Sequence, residues 1–570
     1  MIIHFSSMIG IKLFSFFTLF LCLAAIAIPG KAQKQRIIVD SSIRLVDATV
    51  SPYNQIIPGD TLFFGAGIRD YLLIRNFSGE SGKPVVFTNL NGVVIIDTDH
   101  HFGISMLNCR FIKFTGTGAI NNFYGFKIQR VQNGGAMGIG GMSTDIEIAH
   151  FHIENSPIGG IYAKTDPDCS FISTRDKFTQ YNTIIHDNQI VGVGNEGLYI
   201  GSTKYFGQIV NCNGADTLLL PSLLNGVKIY SNIISYTGWD GIQVSSASDN
   251  CQVFDNLITY DSQDDHFGQM SGILLGGGSK CDCFNNYIAE GRGNGIESHG
   301  IGGYRIFNNI IVNAGKTYKP GDSSEMKHGI YVTDVSVLPD SSFDILFNDI
   351  INPKSDGIRF ASNHSRNNLV ASNAIINPGN YDYYENGHTS FKGKDSYVMI
   401  PNDSSDVALK NNYFARTPDS AGFSPANYSL QPASPLIDAA YFDNKGVTFD
   451  FYHHERPYGS ENDIGAHEYN PAFLDISENR APSMVKITLY PNPVRESFSI
   501  RFEVALPSNV ILNIYNLQGN LIAKDTWNIR EAGINAKNVD VANLPAGIYL
   551  FILRVGNQQH SGRFVKISRR

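Results

Sequence analysis

Lys228-Ile-Tyr-Ser-Asn232-Ile-Ile is followed by Gln252-Val-Phe-Asp-Asn256-Leu-Ile, Asp282-Cys-Phe-Asn-Asn286-Tyr-Ile, Arg305-Ile-Phe-Asn-Asn309-Ile-Ile, Ile345-Leu-Phe-Asn-Asp349-Ile-Ile and Leu369-Val-Ala-Ser-Asn373-Ala-Ile. Each segment runs β-formers, an Asn-containing corner and more β-formers, a Gly-Ile strand follows the first five, and a weaker copy ends at Asn188. Successive corners stand 24, 30, 23, 40 and 24 residues apart, a period in the range of stacked repeats. Apolar and polar residues alternate within each phrase, which is strand periodicity, and no helical stretch separates the strands. The chain must therefore coil, each strand pairing with its equivalent one turn later at ~4.8 Å, in the right-handed sense that parallel crossovers take. The expected fold is all-β: a right-handed single-stranded parallel β-helix, then a small C-terminal β-sandwich. The corner Asn residues are expected to take positive φ and to hydrogen-bond from turn to turn.

The pattern resembles the pectin-lyase-like β-helix superfamily over roughly residues 46–469. Before it, Lys12, an apolar run from Leu13 to Ile28 and Gly30-Lys31-Ala32 read as a signal peptide over 1–32. The run is too short for a membrane span. The helix with its caps is expected over 33–469, opening with a first coil at Pro58–Gly65. Ser434–Asp438 and Asp463–Glu468 resemble phrases that close such solenoids and are expected to form the C-terminal cap. Residues 470–486, with Pro471 and Pro482, read as a linker.

From 487 to 570 the grammar changes to hairpin-linked strands. Tyr490-Pro-Asn-Pro493, Leu544-Pro-Ala-Gly-Ile-Tyr549 and the terminus Val565–Arg570 together resemble the type A sorting domain of the Bacteroidetes type IX secretion system. That resemblance implies the export machinery as partner, passage through the periplasm, and a destination outside the cell or on its surface.

The chain carries a net charge of −8. Residues 487–570 hold +5 and the leader +2, which leaves −15 on the solenoid and linker. So acidic a body disfavours nucleic acid as a partner. A monomer is expected. Of the seven cysteines, Cys22 leaves with the leader. Cys251, Cys281 and Cys283 read as small buried core residues, and Cys169 with Cys212 is the disulfide candidate. No spacing suggests zinc.

The Gly-Ile strands locate the chemistry. With Ile inward, the residue two after Gly points out, giving a row of Tyr199, Gln243, Leu274, Glu297, Tyr331 and Arg359. The row just before Gly is Glu196, Asp240, Ser271, Asn294, His328 and Asp356, and the row four after it includes His299. The candidate catalytic residues are Asp240, Glu297, His299, His328 and Arg359. Tyr199, Trp239, Gln243, Lys327 and Tyr331 are candidate substrate contacts, the aromatic rings offering faces for sugar. Two mechanisms fit. A hydrolase needs two carboxyls, from Asp240 with Glu297, Asp264 or Asp265. A uronate lyase needs a base and a cation, from His299 or His328 with Arg359 and Lys327. The acidic insert Asp261–Phe267 is a place for Ca2+, without calcium-loop spacing. Trp239-Asp240-Gly241 and Arg359 resemble parts of the polygalacturonase pattern, whereas Met270-Ser271 and Gly293-Asn294-Gly295 depart from it, so only Asp240 and Arg359 carry over. The expected function is action on polysaccharide, by lyase or glycosidase chemistry, with a non-catalytic glycan-binding solenoid as the alternative.

Overall fold

A computed structural model describes residues 37–471 and 488–566, except 120–121, 123, 317–325, 380–396, 403, 425–427, 491–493, 505–507, 517–520, 530–532 and 556–557. The expected signal peptide and nearly all of the linker lie outside the described residues.

The chain winds into a right-handed parallel β-helix with three walls. One wall stacks Thr183–His186, Lys228–Tyr230, Cys251–Phe254, Cys281–Phe284, Tyr304–Phe307, Phe343–Leu346, Asn368–Ala371 and Val407–Lys410. After the corner, a second stacks Gln189–Val193, Ile233–Thr237, Leu257–Thr259, Tyr287–Ala289, Ile310–Val312, Asp349–Ile351, Ala374–Ile376 and Tyr413–Ala415. The Gly-Ile strands form the third, a 12-stranded sheet among the described residues. Ile and Val of all three walls meet in one apolar core with the Phe residues of the early turns, whose burial supplies the main driving force.

The glycine that opens each third-wall strand is required by close approach. A Cβ on Gly241 would lie 2.6 Å from the Gly272 carbonyl oxygen and 2.6 Å from Ile258 Cγ2, and one on Gly295 would meet Gly329 O and Ile311 Cγ2 at 2.5 Å. Only hydrogen fits between a neighbouring turn and the second wall.

The Asn corners form a continuous ladder, in which the Nδ2 of Asn188, Asn232, Asn256, Asn286, Asn309, Asn348 and Asn373 each donates to the Oδ1 of the next, ending at Asn412, at 2.9–3.0 Å. Two expectations are corrected here. Positive φ falls on the residue before the ladder Asn: Ser231, Asp255, Asn285, Asn308, Phe347 and Ser372 lie at 52–57°. The ladder residue must aim its amide along the stack, so its predecessor makes the left-handed turn. In the fifth repeat the corner is Asn348, not Asp349, because the Ile306↔Ile345 register places Asn348 over Asn309.

The first coil also starts earlier than expected, since Ile37–Val39 pairs with Leu62–Phe64. The expected C-terminal cap is instead a strap along the side of the helix. Tyr428–Tyr469, with Phe423 before it, packs on the second-wall turns, where Asn308 Nδ2 donates to Phe449 O at 2.7 Å, Gly465 N to Ser372 O at 2.9 Å and Ala466 N to Asp349 Oδ1 at 3.1 Å. Its centre is the buried pair Arg456 Nη1 to Glu468 Oε2, 2.8 Å. The strap covers the stacked rings of Phe284 and Phe307, apolar surface that a polar wall exterior would not carry.

Cys169–Cys212 is bonded, as expected. Cys251–Cys281 is bonded too, against expectation: the two are register partners on adjacent turns with Cα atoms 4.4 Å apart, within reach of a bond. Cys109 and Cys283 are buried thiols. Thr488 to Lys566 forms a three-stranded and a four-stranded antiparallel sheet enclosing their own core of Val494, Phe498, Phe502, Leu512, Leu553 and Phe564. Among the described residues no helix is long and apolar enough to cross a membrane.

Candidate functional site

The third wall carries the candidate residues in register. Tyr199 pairs with Gln243, Gln243 with Leu274, Leu274 with Glu297, Glu297 with Tyr331 and Tyr331 with Arg359. The row before Gly stacks likewise: Gly197 N bonds to Asp240 O, Gly295 N to His328 O and Gly329 N to Asp356 O. Residues up to 163 positions apart thus share one face.

Glu297 is the hub. Its Oε1 lies 2.7 Å from His299 Nε2, while its Oε2 accepts from Asn294 Nδ2 at 2.8 Å and Ser271 Oγ at 3.0 Å. Burial alone would raise this carboxyl, but His299, Asn294 and Ser271 outweigh it and hold it below its ordinary value. The side chains of Glu297 and His299 keep 17% and 21% of their exposure, so both are partly open to solvent. One turn on, His328 is buried; its Nδ1 lies 3.2 Å from Asp356 Oδ2 and accepts from the Asp356 backbone N–H at 3.3 Å. Burial lowers its pKa, with Asp356 opposing. Asn294 Oδ1 accepts from the His328 backbone N–H at 2.8 Å, which ties the two turns together. Arg359 Nη1 donates to Asp356 Oδ2 at 3.1 Å and stays partly exposed beside Tyr331, whose ring is 5.2 Å from that of His328. Lys327 is buried next to them, its N–H donating to Ser355 Oγ at 3.2 Å.

Asp240 lies apart from this open cluster. It is 0% exposed, and so is Gln243. With its amide turned so that nitrogen faces the acceptors, Gln269 donates to Gln243 Oε1 at 2.7 Å, Asp240 Oδ2 at 2.8 Å and Glu196 Oε1 at 3.2 Å. Burial, then the charges of Glu196, Glu297 and Asp261, push the Asp240 carboxyl far above its ordinary range, and burial raises Glu196 to about 7. Trp239 stacks on His266 at 4.0 Å. Tyr199, half-buried, shares a hydrogen bond of 2.8 Å with Thr203 and lies under Lys164 Nζ at 5.1 Å. Among the described residues no group of three or more His, Cys, Asp or Glu converges to hold a metal; the acidic insert engages Asp265 with Arg292 and Asp261 with Ser262.

Two contributors escaped the sequence reading. Tyr162 extends the outward row, pairing with Tyr199 at a ring distance of 5.5 Å; the signal was present, because Gly160-Ile-Tyr-Ala repeats the Gly-Ile phrase. Gln269 sits in an irregular loop, where no periodicity could have placed it.

Residues 488–567 match the secretion system C-terminal sorting domain family. The match marks the chain as cargo for type IX secretion to the cell surface or beyond. Solved structures similar to the chain include an alginate lyase from Paenibacillus sp. at 12% identity and TM-score 0.36, covering 54% of this chain and 93% of that one. Bacteriophage CBA120 tailspike protein 2, enzymatically active domain, is similar at 10% and 0.32, with 89% and 71% covered. A PL6 family polysaccharide lyase from Pseudopedobacter saltans is similar at 11% and 0.26, with 74% and 99% covered. No curated protein matches the chain in sequence.

Proposed function

We propose that the exported solenoid cleaves a uronate-containing polysaccharide by β-elimination at Glu297, His299 and Arg359. The observation that carries this reading is the Glu297–His299 pair at 2.7 Å on the open part of the face. A carboxylate on Nε2–H fixes the imidazole tautomer and leaves Nδ1 as acceptor. His299 then takes the proton from the carbon next to the sugar carboxylate. The C–H electron pair forms the new double bond and the glycosidic C–O bond breaks, the leaving oxygen taking a proton from solvent water while His299 later returns its own to solvent. Arg359, partly exposed, faces the substrate carboxylate and offsets the charge that builds there, with Tyr331 as a ring for the adjoining sugar. The leader at 1–32, transit through the periplasm and a mature body of 33–469 belong to the same proposal.

Hydrolysis is the second reading, favoured by one contrast: burial pushes the Asp240 carboxyl well above its ordinary value while His299, Asn294 and Ser271 hold Glu297 below its own, the direction of division an acid and a base require. Its weakness is that Asp240 is buried beneath Gln269.

Plant and algal polysaccharides assayed for absorbance of unsaturated uronates and for reducing ends decide between them. Elimination yields both signals, and His299→Ala abolishes them. Reducing ends alone point to hydrolysis. No product from any uronate polymer, with binding unchanged in His299→Ala and Glu297→Gln, makes the face a binding surface and refutes both.

A further inference from the structure

We propose that Asp261–Met270 is a lid over a closed sugar subsite made by Glu196, Asp240, Gln243 and Ser245, with the Gln269 amide standing where sugar hydroxyls bind. The proposal rests on the reading of this face as a polysaccharide groove.

Asp240, Gln243 and Ser245 border or belong to the strand Ile242–Val244 and are each 0% exposed. Yet Asp240 Oδ1, Gln243 Nε2 and Ser245 Oγ have no hydrogen-bond partner. A buried polar atom left unpaired costs ~1–3 kcal/mol, and folded proteins keep few. These three lie together along and beside the strand Ile242–Val244, next to the amide of Gln269. They comprise a carboxyl oxygen, an amide donor and a hydroxyl that serves either way, the mixture that neighbouring sugar hydroxyls satisfy. A carboxylate is disfavoured as occupant, because it would face the buried carboxyls of Glu196 and Asp240. The occupant is thus a sugar unit presenting its neutral hydroxyl edge, two turns along the wall from Glu297, or ~9.6 Å.

The covering loop is hinged at its base and latched near its end. Ser262 N, Gln263 N and Asp264 N bond to Trp239 O, Thr237 O and Gly238 O, each at 2.9 Å. Arg292 holds Gln263 O at 2.6 Å and pairs with Asp265. Beyond these contacts the loop turns at Gly268 (φ 77°), and Phe267 stands 85% exposed at its tip. From the loop, the Gln269 amide reaches down to Glu196, Asp240 and Gln243. Releasing that one amide uncovers the pocket and disturbs the ring contact of His266 on Trp239.

The two tryptophans, Trp239 and Trp527, supply the readout. In a full-chain Trp527→Phe background, Trp239 emission reports the lid. Gln269→Ala is expected to shift that emission with no sugar present. It should also tighten binding of tetragalacturonate or tetramannuronate at least threefold, since the closed population taxes affinity. Gln243→Ala, and Asp240→Asn if it folds, should weaken the same binding at least tenfold. Unchanged emission in Gln269→Ala rejects the lid, and unchanged affinity in Gln243→Ala rejects the subsite. A tetrasaccharide that binds and is not cleaved leaves the subsite standing, and the polymer assay decides the proposed function separately. If neither tetrasaccharide binds, the subsite is rejected, and the sugar-free emission still decides the lid.

Discussion

Glu297 Oε1 and His299 Nε2, two positions apart on one strand, lie 2.7 Å from each other. Both project from the outer side of a wall whose inner side is Ile296, Ile330 and Ile358. The pair has a backbone reason: residues i and i+2 of a strand share a face, so Glu-Ser-His in register with the Gly-Ile phrase delivers the dyad without a loop. Glu297→Gln preserves shape and removes the charge that orients the ring. It is expected to lower kcat by ~10²–10⁴, because the base His299 loses the charge that fixes its tautomer and orientation, with KM nearly unchanged. Steady-state kinetics on the cleaved polymer check this, and a loss confined to KM would assign Glu297 to binding.

Asn286 is the middle of the ladder. It is fully buried, its Nδ2 donates to Asn309 Oδ1 and to Val253 O, and its own Oδ1 accepts from the N–H and Nδ2 of Asn256. Asn286→Ala strands donors on the turn before and acceptors on the turn after. Destabilisation of ~2–4 kcal/mol is expected, read as a lower denaturant midpoint. Asn285→Gly, at the left-handed position before it (φ 54°), should cost far less in backbone terms, because glycine tolerates that turn.

Period-2 alternation and the Gly-Ile phrase were enough to place Tyr199, Gln243, Glu297, Tyr331 and Arg359 in one column, since a strand register error would turn every core Ile outward. What escaped depends on contacts outside that periodicity. Asn348 and Asp349 are adjacent, and only the register of Ile345 on Ile306 chooses between them. The strap from Tyr428 to Tyr469 and the loop carrying Gln269 are fixed by partners more than 20 residues away, which no local pattern encodes. The Cys251–Cys281 bond belongs between these cases: the spacing makes the stacking legible, but inward cysteines on adjacent turns fit a reduced apolar core equally well.

That disulfide joins adjacent turns across a separation of 30 residues. Replacing both cysteines with Ala should cost ~2–4 kcal/mol through the freed unfolded chain. The thiol of Cys283 should stay inert in the folded protein, because burial pushes its pKa up. Thermal melts of the double variant and thiol titration before and after denaturation test both statements; a Cys283 that reacts in the folded state would contradict the second.

Glu196 provides the pH prediction. Burial raises its carboxyl to about 7 from an ordinary 4.5, with the Tyr162 hydroxyl at 3.4 Å as a partner. Folded protein therefore holds a proton that unfolded chain has released between those values. The corresponding stability is fully present below about pH 4.5 and disappears as pH rises through about 7. The gradient amounts to something on the order of 3 kcal/mol. Glu196→Gln keeps the hydrogen-bonding shape and cannot ionise, so its melting temperature should lose this slope and exceed that of wild type most clearly above pH 7. The same ionisation places a negative charge beside Asp240 beneath Gln269, so Trp239 emission in the Trp527→Phe background should change over the same interval and stay flat in Glu196→Gln. Parallel melting curves for the two proteins across pH 4.5 to 7.5 would show that Glu196 titrates as an ordinary carboxyl.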